Sequence, residues 1–281
     1  MTLVEICVDD VAGARIAEEC GADRIELCAD LLEGGITPSY GMVAGALEAT
    51  SRVGVQILIR PRGGDFVYSP DEVRVMLTDI RLFAGLPRVG FVLSGLTASG
   101  SVDAVLLASL VEACGGAPVT FSRAFDSLSD QFSGLDTLAS LGVSRVLTGG
   151  GPGTAEAGRD QLRALVAHAG DRITVLAGGS VRSPNVAALI AHTGVTEVHL
   201  RAMRPVGGRD RTSADEVRAV RAAVDAAGVD VAGVDVAGVD VAGVDVAGVD
   251  VAGVDAAGVD VAAVDAAAVD AAAGVADGGA A

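Results

Sequence analysis

Eight short runs rich in Val, Ile and Leu recur along this chain, each followed by a segment long enough for a helix, and that rhythm constrains its fold more than any other feature. The runs fall at Leu3–Val8, Arg24–Cys28, Val55–Arg60, Val89–Leu93, Val119–Ser122, Arg145–Thr148, Ile173–Ala177 and Glu197–Leu200. Strands alternating with helices argue for parallel βαβ units, because parallel neighbours need a long crossover between them. Eight such units predict an α/β chain whose residues 1–223 form a single (β/α)8 (TIM) barrel. An open doubly wound sheet would want a GxGxxG turn after the first strand, and Val8-Asp9-Asp10-Val11-Ala12-Gly13 is not one.

Local chemistry agrees with the barrel. Asp10 is placed to cap the first helix, and Gly21 follows its last turn. Ser69-Pro70-Asp71-Glu72 sets a cap, a first-turn Pro and two acids at the start of the third helix. Gly142, Gly170 and Gly194 each stand between an apolar helical run and the next strand.

Residues 224–281 are a different material. From Val224 to Asp270, Val-Asp recurs every five residues, mostly as AGVDV. Such a period turns about 140° per step on an α-helix, so the Asp side chains spiral and leave no apolar face. On a strand, an odd period sends successive Asp to opposite faces. The unit resembles pentapeptide-repeat proteins, but Val or Ala stands where those carry Leu or Phe. A low-complexity or partly helical tail without assigned chemistry is the reading, with a β-helical stub as the alternative.

The tail also explains the formal charge of −17. Eleven of the 37 acidic residues lie from Val224 onward, where there is no basic residue, leaving 26 acids against 20 arginines in the body. An acidic chain with no basic stripe argues against a nucleic-acid partner. The chain has no Lys, so every cationic side chain apart from His is a planar guanidinium suited to bidentate oxyanion contacts. The N-terminus carries acids where a signal peptide needs bases, and no run of 18 apolar residues exists, so neither export nor a membrane span is expected. Cys7, Cys20, Cys28 and Cys114 show no CxxC pair. A cytoplasmic protein with reduced thiols is the expectation.

In barrels the site lies at the carboxyl ends of the strands, which directs attention to three neighbouring strands. The first carries Glu5-x-Cys7, the second Glu26-x-Cys28 and the eighth Glu197-x-His199. Each pair shares one strand face. If Glu5, Glu26 and Glu197 point inward they form an acid cluster that needs cations, for which Arg24, Arg60 and Arg123 are available. After the third strand, Arg60-Pro61-Arg62-Gly63-Gly64-Asp65 reads as an anion-binding turn or as an Arg–Asp lock. Thr148-Gly149-Gly150-Gly151 and Gly178-Gly179-Ser180 are Gly-rich turns placed to bind phosphate or carboxylate. In Thr120-Phe121-Ser122-Arg123-Ala124-Phe125-Asp126, only one of Ser122 and Arg123 can enter an extended barrel strand. Asp126 either orients Arg123 or serves as a general base. The candidate proton-transfer and catalytic set is therefore Glu5, Glu26, Arg123, Asp126 and His199. The candidate anion-binding set is Arg60, Arg62, Gly63, Gly64, Thr148, Gly149, Gly178 and Gly179. Cys7 and Cys28, with His199 on the other flank, are candidates for a soft metal site that selects Cu(I), or else packing residues. His168, His192, Cys20 and Cys114 read as surface or packing groups. No organic cofactor is expected.

The strings EIC from Glu5, GADRIELCA from Gly21, EGGITPS from Glu33, IRPRGGDFVYS from Ile59, TFSRAFD from Thr120, RVLTGGG from Arg145 and EVH from Glu197 run in order along the body. Together they resemble the CutC family. That resemblance implies one cytoplasmic barrel, homo-oligomers and a role in copper homeostasis, with Cys7 and Cys28 as the matching copper-ligand candidates. Two departures stand out. Ser122 occupies the place of a family His in TFHRAFD, and Leu200-Arg201-Ala202-Met203-Arg204-Pro205 lacks the small polar residues usual there. Two functional readings follow: a copper-homeostasis protein binding Cu(I), and a barrel enzyme acting on a small phosphorylated or carboxylated metabolite.

Overall fold

A computed structural model describes residues 1–232 of the chain. Its eight parallel strands close into a barrel in sequence order, β1 pairing with both β2 and β8. They are β1 (Leu3–Val8), β2 (Arg24–Leu27), β3 (Gly54–Leu58), β4 (Val89–Leu93), β5 (Val119–Phe121), β6 (Arg145–Thr148), β7 (Thr174–Gly178) and β8 (Glu197–Leu200). The helices between them are α1 (Val11–Glu19), α2 (Tyr40–Ala49), α3 (Pro70–Phe83), α4 (Ala104–Ala113), α5 (Gln131–Ser140), α6 (Arg159–Ala169) and α7 (Val186–Thr193). Strands expected through Cys28, Arg60 and Ser122 end earlier, because the chain turns there into site loops.

The caps form as the sequence requires. The Asp10 carboxylate accepts from Gly13 N, and Ser69 and Glu72 make a reciprocal capping box. Gly194 ends α7 in the left-handed region (φ +73°), where a β-carbon would be strained.

One feature was not foreseen. A hairpin, β9 (Met203–Val206) and β10 (Arg209–Thr212), follows β8 and packs on α1. Gly13 permits that approach, since a β-carbon there would lie 2.6 Å from Thr212 Oγ1. The last helix, α8 (Ala214–Ala232), begins before and runs past Val224, the expected start of the tail, and Val224 itself is buried. Its first turns seat Val217 and Val220 in the core. The remainder of the repetitive segment, 233–281, lies outside the described residues.

The apolar core is the annulus between strands and helices. Outward strand residues such as Ile6, Ile25, Ile57, Phe91, Phe121 and Val198 meet Ala17, Val43, Met76, Leu107, Leu138 and Leu189 from the helices. Fully burying each large apolar side chain contributes about 1.5–3 kcal/mol. The alternate residues face the lumen, and there the barrel is polar: Glu5, Arg24, Glu26, Gln56, Thr120, Glu197 and His199 are all buried. Stability thus comes chiefly from outside the barrel, which leaves the inside free for charged groups.

Candidate functional site

At the lower end of the lumen, register brings the charged groups together. Glu5 lies opposite Arg24 on β2 and His199 on β8. The Arg24 guanidinium donates through Nε to Glu5 Oε2 and through Nη2 to Glu197 Oε2. Arg145 Nε on β6 donates to the same Glu197 oxygen at 3.1 Å. His199 Nδ1 lies 2.7 Å from Glu5 Oε1, and its Nε2 lies 3.6 Å from Glu26 Oε2. Three carboxylates therefore face three cationic groups: Arg24, Arg145 and the His199 ring. The expected partners Arg60 and Arg123 do not take part, and Arg145, which was not foreseen, does.

Electrostatics follows this geometry. Burial alone would raise the Glu5 carboxyl, but Arg24 and His199 outweigh it and hold it down at about 2. Burial opposes a charge on His199, yet Glu26, Cys7 and Glu5 push its pKa well above that of an ordinary imidazole. Burial and the nearby Glu5 charge raise Glu26.

Above the ion pairs the lumen opens into a cavity of about 450 Å³ at the carboxyl ends of the strands. Cys7, Glu26, Cys28, Leu58, Arg60, Ser122, Arg123, Gly179 and His199 line it. Cys7 Sγ and Cys28 Sγ lie 3.8 Å apart, in a small apolar cluster with Leu58 and Val92. The contact with Cys28, burial and Glu26 raise the Cys7 thiol well above its usual pKa. Donor atoms of Cys7, Glu26 and His199 all lie within 4.8 Å of one another. Cys20 and Cys114 are buried in the outer core, and all four cysteines are free.

The loops use their polar groups heavily. Arg60 donates to the carbonyls of Glu33 (3.0 Å), Gly35 (2.9 Å) and Gly64 (2.7 Å), tying the loops after β2 and β3, and its guanidinium stacks on Phe66. Arg62 is engaged by Glu72, Asp65 and three carbonyls in its own loop, with Gly63 and Gly64 beside it, and does not line the cavity. Asp126 accepts from Arg123 Nε at 2.8 Å, from the Thr148 hydroxyl and from Gly149 N. It thus orients Arg123 and occupies the Thr148-Gly149 turn. The extended strand on which only one of Ser122 and Arg123 could enter does not reach these residues. The chain leaves β5 at Phe121 for a 3-10 turn over Arg123–Ser127, so both side chains reach the cavity wall. Gly179 lines the cavity, and Gly178 precedes it at the end of β7, where a β-carbon would come 3.4 Å from His199 Cδ2. His168 and His192 pair with Asp136 and Asp160 on the helical surface.

Sequence reasoning missed Arg182 and Arg201, which also line the cavity. Their signal was position: one lies in the loop after β7 and the other directly follows β8.

The comparisons with known proteins bear on the whole barrel. The family model described as CutC family matches residues 2–204. A mouse relative, Copper homeostasis protein cutC homolog, is 44% identical over 214 residues, covering 75% of this chain and 78% of that protein. A family protein CutC from Klebsiella pneumoniae is 46% identical over 199 residues, covering 71% and 79%. The crystal structure of CutC from Streptococcus agalactiae superposes with a TM-score of 0.68 at 34% identity, covering 71% of this chain and 98% of that one. Among the described residues, no helix is long and apolar enough to cross a membrane.

Proposed function

Because the chain belongs to the CutC family of copper homeostasis proteins, we propose that it handles copper by binding Cu(I) between Cys7 and Cys28. The observation that carries this reading is the 3.8 Å separation of their sulfurs. Two sulfurs at about 120° around a metal roughly 2.3 Å away would stand about 4 Å apart, so little movement is needed. Thiolates are soft donors that favour Cu(I), and two of them suffice for the linear or bent coordination that this ion accepts. Leu58 and Val92 keep the sulfur pair in an apolar corner.

Copper is the cargo here, and its entry displaces protons. The raised thiol of Cys7 keeps its proton at neutral pH until copper arrives, so affinity rises with pH. The free, buried state of the cysteines suits a reducing compartment such as the cytoplasm. The test is anaerobic titration of the full chain with Cu(I) against a competing chelator while released protons are counted. The expected result is one copper bound per chain with release of about two protons, both lost in Cys7→Ser/Cys28→Ser with an unchanged circular dichroism spectrum. Equal binding by that variant would overturn the reading.

A further inference from the structure

The mouth of the barrel carries more positive charge than the copper reading uses. Arg60, Arg123, Arg182 and Arg201 all line the cavity. The body of the chain has more acids than bases, so this concentration is local. The lumen acids do not account for it, since Glu5, Glu26 and Glu197 already face Arg24, Arg145 and His199. Asp126 pairs with Arg123. Among the described residues, no carboxylate lies within ion-pair distance of Arg60, Arg182 or Arg201.

Their donors are also incompletely used. Arg60 is 7% exposed, and its buried Nε has no hydrogen-bond partner. The Arg182 side chain donates only to the carbonyl of its neighbour Val181, and that of Arg201 makes one long contact of 3.5 Å with Leu31 O. A buried or half-buried guanidinium without a counter-charge is costly. An anion in the cavity lowers that cost, most for Arg182, since Asp9 and Glu26 already act on Arg201 from beyond ion-pair distance and Arg60 donates to three carbonyls.

The geometry points to a binding site for a small phosphate monoester, with the phosphate seated between Arg182 and Arg201 beside the Gly178-Gly179 turn. Arg182 and Arg201 come from the loops after β7 and β8, where barrels of this type hold phosphates. Gly179 (φ +118°) keeps that wall open; a β-carbon there would lie 3.4 Å from Arg123 Cζ. Planar guanidinium forks match phosphate oxygens in pairs, and a dianion offsets more of the unpaired charge than a single carboxylate does. A volume of about 450 Å³ leaves room for a small organic body reaching down to Arg60 and His199.

The test uses the full chain, with inorganic phosphate and glycerol 3-phosphate as probes and chloride at matched ionic strength as control. Saturable binding of both probes by calorimetry is expected. Arg182→Ala and Arg201→Ala should each weaken it about tenfold, whereas Cys7→Ser/Cys28→Ser should retain it, which separates this site from the copper site. A second readout needs no variant: phosphate should protect Arg182 and Arg201 from phenylglyoxal, as seen by peptide mass mapping. Absence of saturable binding, binding unchanged in both arginine variants, or no protection of these two arginines would overturn the proposal.

Discussion

Replacing Arg24 by Met tests whether the barrel's interior is held by the ion pairs described above. Met keeps most of the volume and removes the charge that serves Glu5 and Glu197 at once. Breaking a buried pair from one side typically costs about 3–5 kcal/mol, because the partner stays buried and unpaired. The Glu5 carboxyl, held down by Arg24 and His199 together, gives a second figure. It lies at about 2 in the folded chain against an ordinary 4.5, which corresponds to roughly 3 kcal/mol of stabilisation at neutral pH. Since the folded value is depressed, this stabilisation is fully present above pH 4.5 and fades as the pH falls toward 2. Arg24→Met should therefore lower stability at pH 7 by about 3–5 kcal/mol, or about 6–20 °C in Tm for a barrel of this size. The gap to wild type should narrow on acidification, as a protonated Glu5 no longer needs a cation. The chain has no Trp, so urea unfolding is followed by far-UV circular dichroism. A loss below about 1 kcal/mol, or a gap that stays constant from neutral pH into the acid range, would refute the reasoning.

Two further substitutions probe how the site is framed. Asp126→Asn should cost about 2 kcal/mol, because an amide cannot accept from Arg123, Thr148 and Gly149 together, and an unchanged Tm would contradict the positioning role. Gly90→Ala should cost about 1–3 kcal/mol in urea unfolding, since its β-carbon would press on the Gln56 amide and lie 2.7 Å from the backbone oxygen of Pro118; a neutral result would contradict this close approach of β4 to its neighbours.

The barrel was legible because its signals are local. Each apolar run reports a strand by itself, and Asp10 and Ser69 mark helix starts whatever the neighbours do. Parity also placed Glu5 with Cys7 and Glu197 with His199 on shared faces. Which cation meets which acid was not legible. Arg145 reaches Glu197 across β7, and that depends on the stagger of the closed barrel. The hairpin of Met203–Thr212 escaped notice because its residues are mostly polar and exposed, giving no apolar alternation; Gly207-Gly208 was its one signal. Arg182 and Arg201 escaped for a related reason, since a single arginine in a loop has no periodicity to set it apart.

The central claim, that copper sits between Cys7 and Cys28, is tested most directly by X-ray absorption at the copper edge on the full chain loaded with one equivalent of Cu(I). The account predicts a spectrum typical of Cu(I) with a first shell dominated by two sulfurs, which disappears in Cys7→Ser/Cys28→Ser. A shell of nitrogen and oxygen alone, or a sulfur shell that survives in that variant, would contradict it.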